Sequence, residues 1–146
     1  MTEGPYYTPG SPERRSIVEP GTVGFPFTLT GQVLDTNCKP IAGAWLDFWQ
    51  ADGNGAYDNA GYGLRGHQFT DKDGGYRLET VMPGEYPGRT LHIHVKVKAP
   101  GGPELTSQLF FHGAAGNASD RIFDTALVVT MTSADSAEFN FVVSAN

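Results

Sequence analysis

The chain has 146 residues, 39% apolar and 18% charged, with 19 Gly and 10 Pro, and 10 basic against 16 acidic side chains give a net charge of −6. This length suffices for one domain with a real hydrophobic core, while so much Gly and Pro interrupts any long helix. The acidic balance offers no bulk attraction to nucleic acid or an anionic membrane, and the composition excludes disordered, collagen-like, coiled-coil and transmembrane classes.

In chain order, residues 1–25 are rich in Gly, Pro and Glu without a period, and read as an extended arm laid over the domain or as a loose tail. Met1-Thr2-Glu3-Gly4-Pro5 has neither a basic nor an apolar leader region. Short β-rich runs follow at Phe27–Leu34, Ala44–Gln50, Gly75–Thr80, Thr90–Lys98, Leu105–Phe111, Ala126–Met131 and Ala137–Val143. Short strands punctuated by turns predict an all-β sandwich, with residues 1–146 as a single domain. Asp73-Gly74 marks a tight turn entering a strand. Residues 51–69 read as one long polar, Gly-rich loop of the kind that usually carries function or is disordered. Cys38, the single cysteine, lies in a turn and makes no internal disulfide.

Two runs alternate informatively. In Leu91-His92-Ile93-His94-Val95-Lys96-Val97-Lys98 the aliphatic residues take one face and His92 and His94 share the other. In Trp45-Leu46-Asp47-Phe48-Trp49-Gln50 both faces carry large apolar groups, which predicts a strand buried on both sides, with Trp45 and Trp49 in the core. Two imidazoles on one strand face, with Cβ atoms about 7 Å apart, suit one coordination sphere; they equally suit an ordinary solvent face shared with Lys96 and Lys98. Further donors are needed for a metal. Tyrosine supplies one where a strongly charged cation stabilises the phenolate, and Tyr57 and Tyr86 are placed to do so. Each also reads as a packed or turn aromatic with its hydroxyl bonded. His67 and His112 read as surface or hydrogen-bonded structural residues, and Tyr62 and Tyr76 as packing residues. The Asn117-Ala118-Ser119 triplet is a sequon in form only.

Larger pieces of text then matter together. They are Thr2-Glu3-Gly4-Pro5-Tyr6-Tyr7, Gly31-Gln32-Val33-Leu34-Asp35, Pro40-Ile41-Ala42-Gly43-Ala44, and Asp47-Phe48-Trp49-Gln50-Ala51-Asp52 leading to Gly55-Ala56-Tyr57-Asp58. Arg65-Gly66, Thr70-Asp71-Lys72-Asp73-Gly74-Gly75-Tyr76, Met82-Pro83-Gly84-Glu85-Tyr86-Pro87, Arg89, His92-Ile93-His94 and Gln108 follow. In this order, over residues 2–111, the chain resembles the intradiol ring-cleavage dioxygenases, the catechol and protocatechuate dioxygenase family, in a short single-domain form.

The resemblance implies a prealbumin-like sandwich of mixed-topology sheets and one non-haem Fe(III) per chain, held by Tyr57, Tyr86, His92 and His94. Tyr57 and His92 would be equatorial, Tyr86 and His94 axial. It implies catechols and O₂ as substrates, with the ring opened between the two hydroxyl-bearing carbons to a cis,cis-muconate. Tyr86 would leave the metal as the catechol chelates and take up a substrate proton. Arg89 would stabilise charge building on the ring, Gln108 would hydrogen-bond near the site, and Pro5 and Tyr6 would form part of the pocket wall. Five residues separate Tyr86 from His92, fewer than in larger members, and Thr90-Leu91 stands where Pro-Ala is usual. No helical segment of the kind that dimerises catechol dioxygenases is present, which leaves the oligomeric state open. Likeness to secreted single-domain members favours an extracellular setting. Two other readings stand beside this one. The Gly31–Asp35, Pro40–Ala44 and Thr70–Tyr76 text also resembles carboxypeptidase-regulatory-like sandwiches, non-catalytic modules that need neither the two tyrosines nor the His-x-His. A Zn or Cu site at His92 and His94 without a tyrosinate is the third.

Overall fold

Alternation along β1 (Pro26–Leu34) turns Phe27, Leu29 and Val33 to one side, where all are buried. Along β2 (Trp45–Gln50) the even residues Leu46 and Phe48 point inward, and along β5 (His92–Lys98) the odd residues Ile93, Val95 and Val97 do the same. The computed structural model describes residues 2–85 and 88–145. In it these stripes face one another across an all-β sandwich, as alternation requires. Each fully buried Leu, Ile or Phe contributes about 1.5–3 kcal/mol through removal of apolar surface from water.

One sheet is antiparallel throughout, in the order β3 (Arg65–Phe69), β2, β5, β6 (Glu104–Phe110). The other is mixed. Its order is β4 (Gly75–Val81), β1, β8 (Ser136–Glu138), β7 (Thr130–Ser133), with β9 (Phe141–Val142) also on β1. β1 runs antiparallel to β4 but parallel to β8 and β9.

Three expectations change. The loop over 51–69 ends early, because Arg65–Phe69 is the edge strand β3, paired antiparallel to β2. Its polar text hides the strand: Gly66 meets the arm, where a Cβ would come 2.7 Å from Ile17 Cγ2, and the Gln68 amide bonds both N–H and C=O of Arg77 in β4. The run Ala126–Met131 is not one strand. Asp124 caps a 3-10 turn at Thr125–Leu127 through the Ala126 N–H, and β7 begins at Thr130. The run Ala137–Val143 divides into β8 and β9 where the chain crosses Gly31; a Cβ there would lie 1.8 Å from the Phe139 carbonyl oxygen.

The N-terminal residues form the laid-down arm. Arg14 N–H donates to the His67 carbonyl and His67 N–H to Pro12, so the arm extends the β3 edge; Ile17 N–H and Glu79 N–H then exchange bonds with Glu79 and Arg15 along β4. Ile17 is fully buried.

Candidate metal centre

The outer face of the β3-β2-β5-β6 sheet is built from the residues that alternation turns away from the core. Register sets them in cross-strand rows. One row reads Arg65, Trp49, His94, Gln108, and the next reads His67, Asp47, Lys96, Thr106. All four members of the first row are at most 2% exposed. The arm covers this face. Tyr7 donates to Asp47 Oδ2 at 2.8 Å and Ser11 to Asp47 Oδ1 at 2.8 Å, while Lys96 pairs with Glu3 at 2.9 Å and with Glu104 at 3.0 Å. His92 and His94 therefore do not share a solvent face with Lys98; they are buried.

The segment carrying Tyr57 is shaped by two carboxylates. Asp52 Oδ1 accepts the N–H groups of Asn54 and Ala56, and Asp58 accepts those of Ala60, Gly61 and Gly63. Asx turns of this kind bend a loop without a hydrophobic anchor. Met82–Gly84, the approach to Tyr86, packs directly on this loop: Gly84 N–H donates to the Asp52 carbonyl at 2.8 Å, and a Cβ at Gly84 would lie 2.5 Å from Gly53 O. Tyr86 itself lies outside the described residues, so its predicted place as a ligand is not among the contacts here.

Tyr57, His92 and His94 converge. The Tyr57 hydroxyl lies 3.0 Å from His94 Nε2 and 3.3 Å from His92 Nε2, and the two Nε2 atoms are 3.0 Å apart. Donors about 2.1 Å from a common ion at right angles are separated by about 3 Å, so the spacing fits one coordination sphere. Among the described residues no three His, Cys, Asp or Glu side chains gather to hold a metal; the phenol is the third donor. An oxygen and two imidazole nitrogens suit a hard or borderline ion better than a thiophilic one. The residues present thus fit a ferric ion.

Burial sets the electrostatics. It pushes His92 down to about 4, against the opposing bond to the Thr90 carbonyl, and His94 down to about 2, with His92 and Arg89 adding to the effect. Both rings are neutral at pH 7 and offer lone pairs. The ring bonds differ. His92 Nδ1 lies 2.7 Å from the Thr90 carbonyl oxygen, which only accepts, so the proton is on Nδ1 and Nε2 faces Tyr57. His94 instead stacks on Trp49, at 4.7 Å between centroids and 7° between planes.

Arg89 reaches the same face from the loop before β5. Its guanidinium donates to Asp120 Oδ2 at 2.8 Å and also to Gln108 Oε1. Gln108 is fully buried directly opposite His94. Tyr6 stacks on Tyr57 at 4.4 Å and 19°, and its carbonyl accepts from Arg65 Nη1. Pro5 is exposed beside it, between Tyr6 and Gly4, whose Cβ position lies 3.6 Å from His94 Cε1. A cavity of about 250 Å³ opens beside Tyr57, lined in part by Asp52, Asp58 and Glu19.

The sequence reading gave no part to Asp120 or Trp49 here. Trp49 is buried as expected, yet on the outer face against His94; its parity with Asp47 was the available signal. Asp120 sits in a loop with no pattern around it. His67 bonds Ser11 at 3.2 Å, Tyr76 is a buried packing residue and His112 is exposed, as expected. The Asn117 amide is engaged, accepting from Thr90 Oγ1 and donating to the Phe111 carbonyl.

A family model described as Dioxygenase matches residues 2–144. The catechol 1,2-dioxygenase of Pseudomonas sp. (strain EST1001) is 32% identical over 150 residues, covering 84% of this chain and 50% of that protein. Among solved structures, the dioxygenase domain of a dioxygenase carbohydrate-binding protein fusion from Streptomyces sp. SirexAA-E superposes with a TM-score of 0.95 at 49% identity, covering 100% of this chain and 97% of that one. The intradiol ring-cleavage dioxygenase from Tetranychus urticae gives a TM-score of 0.89 at 28% identity, covering 98% and 92%. The chain spans about half the length of the curated relatives it matches. These likenesses do not favour the non-catalytic module. By the extent of the family match and by its relatives, the chain belongs to the intradiol ring-cleavage dioxygenase family.

Proposed function

We propose that the protein is an intradiol dioxygenase, adding both atoms of O₂ to a catechol and opening the ring between its hydroxyl-bearing carbons to a cis,cis-muconate. The convergence of the Tyr57 hydroxyl with the Nε2 atoms of His92 and His94 inside a buried face is the observation that carries this reading. Tyr57, Tyr86, His92 and His94 would hold one Fe(III) per chain. Bound there, the ferric ion supplies the Lewis acidity that draws electron density from a catecholate and opens it to O₂.

The chain's own residues supply the rest. Burial keeps both imidazoles neutral, and the bond from Nδ1 to the Thr90 carbonyl keeps the remaining His92 proton off its Nε2. The phenolate oxygen of Tyr86 accepts a proton as the catechol is deprotonated, a role suited to its basicity. Arg89, its guanidinium fixed by Asp120 and Gln108, places a permanent cation beside the charge that develops on the ring. Gln108 holds that fork in place through its oxygen. Tyr6, stacked on Tyr57, and the neighbouring Pro5 would form part of the pocket wall on the arm side. Residues 1–146 act as one catalytic unit.

Oxygen-electrode turnover with catechol, protocatechuate and hydroxyquinol tests the proposal, with product spectra separating intradiol from extradiol cleavage. Purified protein is expected to be reddish from tyrosinate-to-iron charge transfer. Iron below about a tenth of an equivalent after aerobic loading, with no O₂ uptake on any of the three, would return the chain to a binding module. A bound Zn or Cu without colour would favour the tyrosinate-free site.

A further inference from the structure

The two imidazoles beside Tyr57 are aimed by different means. The χ2 torsion of histidine is broad and roughly two-fold, so a ring that must present one nitrogen needs something to fix its plane. For His92 a hydrogen bond from Nδ1 to the Thr90 carbonyl does this. His94 Nδ1 is buried and has no hydrogen-bond partner among the described residues. What lies against its ring is the indole of Trp49, directly opposite on β2, nearly parallel at 7° and 4.7 Å away. Turning the imidazole out of that plane drives its edge into the indole.

The indole is itself held. Trp49 is 1% exposed, and the Tyr7 ring meets it edge-on at 4.7 Å and 60°. The Tyr7 hydroxyl is anchored on Asp47 Oδ2 at 2.8 Å. Burial and the bond to Asp47 raise the Tyr7 phenol well above its ordinary value, so it stays protonated and keeps donating. The arm thereby clamps the indole against the imidazole.

We infer that Trp49 is a positioning residue that orients His94 by ring stacking, in place of the hydrogen bond that orients His92, with Tyr7 holding the stack closed. Its consequence for metal binding rests on reading His94 as an iron ligand; the ring orientation does not.

The test uses the full chain carrying Trp49→Leu, Trp49→Phe, Tyr7→Leu or, as a control on the same strand face, Trp45→Leu. In metal-free protein, a nuclear Overhauser effect between His94 Hε1 and the Gly4 α-protons reports the ring plane, since a Cβ at Gly4 would lie 3.6 Å from His94 Cε1. It is expected in wild type, Trp49→Phe and Trp45→Leu, weakened in Tyr7→Leu and lost in Trp49→Leu. After iron loading, Trp49→Leu is expected to bind about tenfold more weakly with a shifted charge-transfer band. Trp49→Phe, which keeps a stacking face, is expected to stay within about twofold of wild type. An unchanged Overhauser effect in Trp49→Leu overturns the inference; if that variant does not fold, an unchanged effect in Tyr7→Leu does so. Wild-type protein that takes up no iron overturns the proposed function, while the metal-free measurement still decides the stacking role.

Discussion

A single oxygen of Asp120 holds both Arg89 and Thr90: Oδ2 accepts the Arg89 Nε–H at 2.8 Å and the Thr90 backbone N–H at 2.8 Å. The Thr90 carbonyl in turn fixes His92. The guanidinium proposed to steady the ring and one proposed metal ligand are therefore tied to the same buried carboxylate. Asp120→Asn is expected to lower activity about 10- to 100-fold, since outer partners of metal ligands carry effects of that size. Steady-state kinetics, with iron content measured on each preparation, checks this.

The same carboxylate predicts an acid limb. Burial pushes Asp120 up, but the bond from Arg89 and the N–H groups of Thr90 and Ile122 outweigh it, leaving the group below its ordinary value. A depressed carboxylate stabilises the fold above its unfolded pKa of about 3.9 and loses that contribution as pH falls through the folded value. Urea-melt midpoints should fall with acidification below pH 4 more steeply in wild type than in Asp120→Asn.

His92 and His94 act in a different window. Burial lowers both, to about 4 and about 2, so below about pH 6.5 the unfolded chain takes up protons that the folded one refuses. Above pH 6.5 this pair leaves the stability of metal-free protein unchanged; between about pH 6 and the folded values it costs up to about 1.4 kcal/mol per histidine for each pH unit of acidification. His92→Gln/His94→Gln should flatten this limb between pH 6 and 4; an unaltered slope would show that the rings protonate without unfolding.

Arg89→Lys keeps the charge but cannot span Asp120 Oδ2 and Gln108 Oε1 with one planar fork. A fall in kcat of about 100-fold, larger than any change in KM, is expected if the group acts on developing charge. A change in KM alone would assign Arg89 to ground-state binding.

Gly84→Ala tests how the two tyrosine-bearing segments are seated. The added methyl would stand 2.5 Å from Gly53 O and 2.6 Å from Gly55 N, forcing backbone from backbone at a cost of about 1–3 kcal/mol. Iron uptake should suffer more than the melting temperature, because the sandwich core is not touched. Equal iron affinity would mean that these loops relax independently of the site.

Sequence made some of this legible and physics explains the remainder. β5 was readable because its two periodic faces differ completely in chemistry, and that alternation alone brought His92 and His94 to one side. β3 was not, since Arg65-Gly66-His67-Gln68-Phe69 has no apolar stripe and becomes a strand only by pairing with β2 and receiving the arm at His67. The division of residues 137–143 came from a crossing over Gly31, a contact between segments over a hundred residues apart. Tyr57 was found through resemblance; the turns that deliver it depend on carboxylates whose text, Asp52-Gly53-Asn54 and Asp58-Asn59-Ala60, looks like any polar loop. Asp120 had no local signal at all, because its meaning lies wholly in what it meets across 30 residues of chain.

The strap formed by residues 12–17 bonds to the rim of each sheet in turn, first at His67 and then at Glu79. Open rims of this kind template pairing between molecules, and this one stretch closes two of them on the same side of the sandwich. Its loss would therefore do more than uncover the chemistry: it would leave two adhesive borders side by side, and the freed chains would be expected to stick to one another before they unfolded.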